Sequence, residues 1–140
     1  MTAPNNANTN DHVLAVVIGR AGSKGLPRKN ALDIAGVPMI AHTIRFARAS
    51  RRIERVIVST DGDEIARIAR SEGVDVHMRP EQLSNDSATV DSAVRHAVDA
   101  SASSAGIIVI LYGNVPVRPA DLADRAIARL VETGADSVQS

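Results

Sequence analysis

The sequence has no cysteine and almost no aromatic residues. Without cysteine, the 140-residue chain can form no disulfide, no thiolate zinc site and no cysteine nucleophile. One Phe, one Tyr and no Trp leave almost no surface on which single-stranded nucleic acid could stack. The formal net charge is zero, whereas nucleic-acid-binding proteins usually carry a broad positive field. These features argue against a nucleic-acid partner and against thiol chemistry.

Long apolar runs are also absent. No run approaches the ~20 residues that a membrane-spanning helix needs, and the first residues lack the basic and apolar regions of a signal peptide. We therefore expect no membrane partner and a cytoplasmic location. Residues 1–11 are polar and rich in Asn, which is typical of a disordered tail. Residues 12–140 are long enough for one domain with a buried core.

Lysine is scarce, and its placement is informative. The only two lysines are Lys24 and Lys29, and they share one loop with Arg20 and Arg28. No acidic residue lies between positions 11 and 33. Ammonium groups suit phosphate oxygens, and a lysine pair confined to one loop is hard to attribute to average surface composition. We interpret this loop as a phosphate-binding segment.

The position of the loop supports this interpretation. It follows the apolar run 13–18, whose length and β-branched content are typical of a buried strand. Gly22 and Gly25 would let the backbone turn its N–H groups towards an anion. Open α/β sheets bind ligands at such strand ends.

Three other interpretations of the loop are weaker. A solvated basic turn is possible, because charged loops are common. The Walker pattern requires Gly-Lys-[Ser/Thr], whereas this loop has Ser23-Lys24-Gly25. A nicotinamide-binding loop requires Gly-x-Gly-x-x-Gly, which the sequence lacks.

The segment Arg20-Ala-Gly-Ser-Lys-Gly-Leu-Pro-Arg-Lys-Asn30 closely resembles the signature of the acylneuraminate cytidylyltransferases, the CMP-sialic acid synthetases. The resemblance continues in order through Val58-Ser-Thr-Asp-Gly62 and Arg79-Pro80, followed by Leu83 and Asp86. It covers roughly residues 12–140. It implies the nucleotide-diphospho-sugar transferase fold, a Rossmann-like α/β fold. It also implies a nucleotidyltransferase that uses CTP and Mg²⁺ to activate a nonulosonic acid.

The resemblance implies roles for individual residues. The positions that would contact the reacting phosphate and carry catalysis are Arg20 and Lys29. The nucleotide-binding positions are Gly22, Ser23, Lys24, Gly25, Asn30, Arg79 and Tyr112. For Arg79, a surface arginine before a proline turn is the alternative.

The chain departs from the family after its last apolar run. Tyr112 stands where sialic-acid synthetases usually have glutamine, and Asn114 aligns with an aspartate that helps to hold Mg²⁺ in the related Kdo enzymes. An amide oxygen can ligate a hard cation but brings no charge, so we expect weaker metal binding there. Family members continue beyond this point with the main metal ligands, the sugar-binding part and a dimer-forming part. A homodimer through that part is therefore implied as well.

Apolar periodicity predicts alternating strands and helices, and hence a three-layer α/β/α sandwich with a mostly parallel sheet. Helices are expected over 38–50, with Ile40, Ile44 and Ala47 on one face, then after Asp61 or Asp63, and over 90–100. Pro119 and Asp121 open a last helix, which carries Leu122, Ala126, Ile127 and Leu130 inward and is closed by Gly134. Strands are expected at 55–59, 74–77 and 106–111, the last of them central, and another begins at 135.

Other polar residues have simpler interpretations. Asp61 or Asp63 is more readily a helix cap than a catalytic acid. The four histidines have no metal-ligand spacing among them, so structural or solvent-facing roles are expected. No Gly-x-Ser-x-Gly elbow supports a hydrolase.

Two functions remain in view. The first is CTP-dependent activation of a sialic-type sugar acid with release of pyrophosphate. The second is a nucleotide-binding module with little or no turnover, which Tyr112 and Asn114 favour.

Overall fold

In a computed structural model, residues 11–20, 29–80 and 89–139 are described. The expected tail lies outside these residues except for Asp11, which is exposed. The core of the molecule is one parallel sheet. Its strands are β1 (Val13–Gly19), β4 (Arg55–Thr60), β5 (Asp75–Met78) and β6 (Ile107–Tyr112).

The spatial order of the sheet is β5-β4-β1-β6, and every pairing in it is parallel. Strand β1 is fully buried, as its apolar run predicts. It therefore lies in the middle, with its carboxyl end between those of β4 and β6.

Four helices cover the sheet. They are α1 (Met39–Ala49), α2 (Asp63–Ser71), α3 (Val90–Ala100) and α4 (Leu122–Thr133). Helices α1, α2 and α4 pack on one face of the sheet, and α3 packs on the other. Successive side chains of a strand point to opposite faces, so Val17 joins the first core cluster and Val16 the second. The three-layer α/β/α sandwich is confirmed.

A small hairpin precedes α1. Strands β2 (Asp33–Ile34) and β3 (Val37–Pro38) are antiparallel. They are joined by Ala35 and Gly36, both with positive φ (53° and 80°). Two consecutive positive φ values are typical of the two-residue hairpin turn, and Gly36 adopts its value without the steric cost of a side chain.

Two strand predictions were wrong. Strand β6 is not central but lies at the edge of the sheet formed by the described residues, and Ile110 is 44% exposed. An apolar run does not by itself distinguish a strand buried on both faces from an edge strand. Residues 135–139 form no strand, and Val138 is 38% exposed.

The buried face of α4 also differs from the expectation. Ala123 and Ile127 are its buried residues, whereas Leu122, Ala126 and Leu130 are only half-buried. Asp124 lies next to Ala123 on this helix and accepts hydrogen bonds from Ser50 Oγ and from the backbone N–H groups of Arg51 and Arg52. These contacts fasten the first turn of α4 to the turn before β4, on the side of the helix next to Ala123.

Candidate nucleotide site

The sheet gathers the described candidate residues at one edge. Gly19, Thr60 and Met78 are paired in register across β1, β4 and β5. The next residues along these strands are Arg20, Asp61 and Arg79, which therefore emerge side by side. Ile18 is in turn paired with Tyr112 at the end of β6. The carboxyl edge thus carries the charged side chains at the point where open α/β sheets bind ligands.

Asn30 closes the base of the predicted phosphate loop. Its Nδ2 donates a hydrogen bond of 2.9 Å to the carbonyl oxygen of Arg20, ten residues earlier. Asn30 is buried in the short 3₁₀ turn Lys29–Ala31, while Lys29 is half-buried. The ends of the loop are therefore held together beside β1. Four predicted loop residues, Gly22, Ser23, Lys24 and Gly25, lie outside the described residues.

Arg79 is buried at this edge, with only 9% of its surface exposed. Its Nη2 lies 3.4 Å from the carbonyl oxygen of Gly19, and its backbone N–H donates to the carbonyl oxygen of Thr60. Burial lowers the pKa of Arg79; the charge of Asp61 opposes this shift and that of Arg20 adds to it. A surface arginine before a proline turn is therefore excluded. Arg79 is a desolvated cation within electrostatic range of Arg20 and Asp61.

Asp61 is the residue that sequence reasoning missed. The helix cap of α2 is Gly62, and in the described structure no side chain caps this helix. Asp63 instead lies in the first helical turn. Thr60 Oγ1 accepts the N–H of Gly62, which fixes the turn after β4 and leaves Asp61 beside the arginines. The available signal was its position directly after a buried strand.

The end of β6 packs against the same loop. The N–H of Gly113 donates to the carbonyl oxygen of Ile18 at 2.8 Å. A Cβ at position 113 would lie 3.0 Å from that oxygen and 3.3 Å from Asn30 Oδ1. Tyr112, which precedes this glycine, is 49% exposed. The backbone directly after β6 therefore lies close to Asn30, and about half of the Tyr112 surface is accessible to a ligand.

An arginine holds the segment that follows. Arg118 Nη1 donates to Thr43 Oγ1 and to the carbonyl oxygen of Val115, and its Nη2 donates to the carbonyl oxygen of Tyr112. The guanidinium carbon lies 5.3 Å from the centre of the Phe46 ring. Burial lowers the pKa of Arg118. Nothing in the sequence pattern drew attention to this residue.

Asn114, the predicted magnesium ligand, lies among the described residues. They contain no group of three or more His, Cys, Asp and Glu side chains that could hold a metal ion. Asn114 is exposed after β6 and offers one neutral oxygen. Mg²⁺ is usually bound through one or two carboxylates together with substrate phosphates. The predicted metal role of Asn114 thus remains a prediction.

Two of the four histidines have partners within the fold. His12 pairs with Glu54, and His42 Nε2 donates to the carbonyl oxygen of Ile34.

In the part of the chain that the structure describes, no helix is long and apolar enough to cross a membrane.

The chain is similar to known cytidylyltransferases in sequence. A cytidylyltransferase family pattern matches residues 14–140. The chain is 42% identical over 86 residues to the N-acylneuraminate cytidylyltransferase of Escherichia coli. The aligned residues make up 61% of this chain and 20% of that protein. It is 48% identical over 86 residues to the CMP-N,N'-diacetyllegionaminic acid synthase of Legionella pneumophila, covering 61% of the chain and 36% of that protein. It is 30% identical over 123 residues to the pseudaminic acid cytidylyltransferase of Campylobacter jejuni, covering 85% of the chain and 53% of that protein.

Solved structures show the same fold. A CMP:2-keto-3-deoxy-manno-octonic acid synthetase complexed with CTP superimposes with a TM-score of 0.78 at 24% identity, covering 89% of this chain and 49% of that one. A cytidylyltransferase from Leptospira borgpetersenii gives a TM-score of 0.70 at 24% identity, covering 86% of this chain and 49% of that one. The chain thus spans about half the length of these structures, and between a fifth and about half of the three curated relatives. The family pattern over residues 14–140, together with the fold, shows that the chain belongs to the cytidylyltransferase family.

Proposed function

We propose that this chain binds CTP at the carboxyl edge of its sheet and belongs to a protein that transfers the CMP group to a sialic-type sugar acid. The observation that carries the proposal is the convergence of Arg20, Arg79 and the Lys29–Asn30 turn at one edge. These cations lie beside the carboxyl end of β1, where the predicted phosphate-binding segment begins.

The chemistry requires positioning and charge neutralisation more than covalent help from the protein. The anomeric hydroxyl oxygen of the sugar attacks the α-phosphorus of CTP, and the bond between that phosphorus and the oxygen bridging to the β-phosphate breaks. Pyrophosphate leaves, and the hydroxyl proton passes to solvent. Arg20 and Lys29 would offset the charge at the reacting phosphate, and Ser23 and Lys24 would hold the β- and γ-phosphates with the backbone at Gly22 and Gly25.

The nucleoside half would lie at the carboxyl ends of β1 and β6, where the Arg79 guanidinium approaches Gly19. Asn30, Arg79 and Tyr112 are the proposed contacts there, because each lies at the edge beside the phosphate loop. Mg²⁺ is proposed as the companion of the triphosphate. It rests on the family resemblance and on the charge of CTP, and no step above depends on it.

The sugar is proposed from the relatives, which are named for N-acylneuraminate, legionaminic and pseudaminic acid derivatives. A partner of this class is an acidic nine-carbon sugar. We also propose a homodimer and a cytoplasmic location for the protein.

Calorimetric titration with CTP and Mg²⁺ tests the proposal, with UTP, ATP and NAD⁺ as controls. Binding selective for CTP is the expected result. Absence of CTP binding by a chain that circular dichroism shows to be folded would overturn it.

A nucleotide-binding module without turnover is the second candidate. It is favoured by Asn114, which stands where the related Kdo enzymes have an aspartate, and by Tyr112 in place of a glutamine. Pyrophosphate release, measured with CTP and a panel of nonulosonic acids, distinguishes the two functions. CTP binding without pyrophosphate release would favour the module.

A further inference from the structure

The segment between β6 and α4 is organised around one side chain. Arg118 Nη1 lies 3.0 Å from Thr43 Oγ1 and 2.8 Å from the carbonyl oxygen of Val115. Its Nη2 lies 2.8 Å from the carbonyl oxygen of Tyr112. One planar guanidinium therefore joins both ends of the turn that Tyr112–Val115 makes and ties it to α1.

Thr43 is the anchor on the helix. It is fully buried, and its Oγ1 lies 3.2 Å from the carbonyl oxygen of Val115 and 3.4 Å from that of Tyr112. The hydroxyl has a single proton, so it donates to one of these oxygens while it accepts from Arg118. Phe46, one turn along α1, lies against the guanidinium. The segment is thus fastened to a helix whose Ile40 and Ile44 are in the core.

These contacts fix the part of the sheet's carboxyl edge that lies next to the Asn30–Arg20 hydrogen bond. Tyr112, whose carbonyl oxygen Arg118 binds, is directly followed by Gly113. The N–H of Gly113 donates to the Ile18 carbonyl oxygen, and a Cβ added at this position would lie 3.3 Å from Asn30 Oδ1. The two Nη groups of Arg118 are engaged by the protein itself. Arg118 therefore faces two backbone oxygens and a hydroxyl.

We propose that Arg118 is a positioning residue for the nucleoside half of the site, acting through the Tyr112–Val115 turn and anchored by Thr43. The inference rests on the proposed function, since it assumes that Tyr112 faces the nucleoside. It assigns Arg118 no contact with the phosphates.

The matched variants are Arg118→Met and Arg125→Met. Methionine keeps much of the packing against Phe46 but removes the donors, and Arg125 is an exposed arginine paired only with Asp121 among the described contacts. Calorimetry compares CTP with inorganic tripolyphosphate, at a temperature where circular dichroism shows each variant to be folded. We expect Arg118→Met to weaken CTP binding roughly tenfold and to leave tripolyphosphate binding unchanged. Arg125→Met should alter neither.

A second pair guards against misfolding of Arg118→Met. Thr43→Val removes the hydroxyl anchor at nearly constant shape, and Thr43→Ser retains it. Thr43→Val should weaken CTP binding in the same selective way, and Thr43→Ser should restore it. Equal losses for CTP and tripolyphosphate, or no loss of either, would overturn the inference.

Tyr112 gives a readout that does not depend on nucleotide binding. It is the only tyrosine, and the chain has no tryptophan, so tyrosine emission reports this residue alone. Its fluorescence anisotropy should fall in Arg118→Met and not in Arg125→Met. If the parent chain binds neither ligand, the proposed function fails, while unchanged anisotropy would independently reject the anchoring role.

Discussion

The side-chain amide of Asn30 is hydrogen-bonded to the carbonyl oxygen of Arg20, at 2.9 Å, and so joins the two ends of the predicted phosphate loop. The amide is buried, and its Oδ1 lies where a Cβ at Gly113 would approach to 3.3 Å. One residue thus links the loop, the end of β1 and the end of β6. The loop sequence is therefore presented on a fixed base.

Removing this clasp should weaken both the fold and the site. We expect Asn30→Ala to lower the free energy of unfolding by about 1–2 kcal/mol, because a buried hydrogen bond is lost. We expect CTP affinity to fall roughly tenfold. Asn30→Asp should lose more, since a carboxylate cannot donate to the Arg20 carbonyl. Urea unfolding and calorimetry measure the two effects, and Gln139→Ala, at an exposed amide after α4, is the control. Unchanged affinity would remove Asn30 from the site.

The two lysines should account for much of the triphosphate binding. Replacing Lys24 and Lys29 together with Ala should abolish CTP binding while the far-ultraviolet circular dichroism spectrum stays the same. The control replaces Arg67 and Arg70, two exposed cations on α2, with Ala. This pair removes the same charge from the molecule and should leave affinity almost unchanged. Parent-like CTP binding by the folded lysine double variant contradicts the phosphate-loop assignment.

Arg79 and Asp61 should be coupled in stability but not in binding. Arg79→Met removes the buried guanidinium whose charge interacts with the Asp61 carboxylate, so we expect it to be destabilising by about 1–3 kcal/mol. Adding Asp61→Asn should recover part of that loss, because the carboxylate that has lost this interaction is removed. CTP affinity should stay low in both. A double-mutant cycle in urea measures the coupling. Strictly additive stability changes would mean that the two charges do not interact.

Crowding at the end of β6 should make Gly113 intolerant of a side chain. In Gly113→Ala the new Cβ would lie 3.0 Å from the Ile18 oxygen and 3.1 Å from Ile40 Cγ1. We expect a loss of about 1–3 kcal/mol in unfolding free energy. Gly134→Ala provides the comparison, since its Cβ would meet no atom within 4 Å and only the positive φ of 66° opposes it. It should cost about 1 kcal/mol. A smaller effect at position 113 than at 134 would contradict the crowding.

Asp124 should contribute to the loss of folding stability at low pH. Its carboxylate accepts from Ser50 Oγ and from two backbone N–H groups, and these bonds, the Ser50 bond first, hold its pKa below the ordinary value. A lowered folded-state pKa stabilises the fold above the ordinary aspartate pKa of about 4, and the contribution is lost as pH falls through the lower folded value. Asp124→Asn should therefore reduce stability at pH 7 and flatten its decline below about pH 4. Thermal melts from pH 2 to 7 check this, and Asp136→Asn, at an exposed site, should keep the parent profile.

Much of the fold followed from local patterns. The apolar run 13–18 predicted the buried strand β1, and the spacing of Ile40, Ile44 and Ala47 predicted α1. Gly134 ends α4 with φ of 66°, as a helix-terminating glycine predicts. These features depend on residues close in the chain, so the sequence carries them directly.

The site was only partly predictable. Arg20, Asn30 and Arg79 were identified from the family resemblance, and the structure brings them to one edge, where their nucleotide contacts remain a prediction. Asp61 was interpreted as a helix cap because an Asp before an apolar periodic segment usually is one. Its neighbour Arg79 is 18 residues away in the chain, and no local pattern expresses that pairing.

By itself, the sequence determined the helices, the four strands of the parallel sheet, the basic segment after β1 and the family to which the chain belongs. The tertiary structure alone decided that Asn30 closes the loop, that the charge of Asp61 acts on Arg79, that Arg118 binds the turn after β6, and that β6 lies at the edge of the described sheet. The physical reason is that periodicity reports which faces of an element are apolar. Partners and register arise only when parallel strands bring distant residues to the same edge.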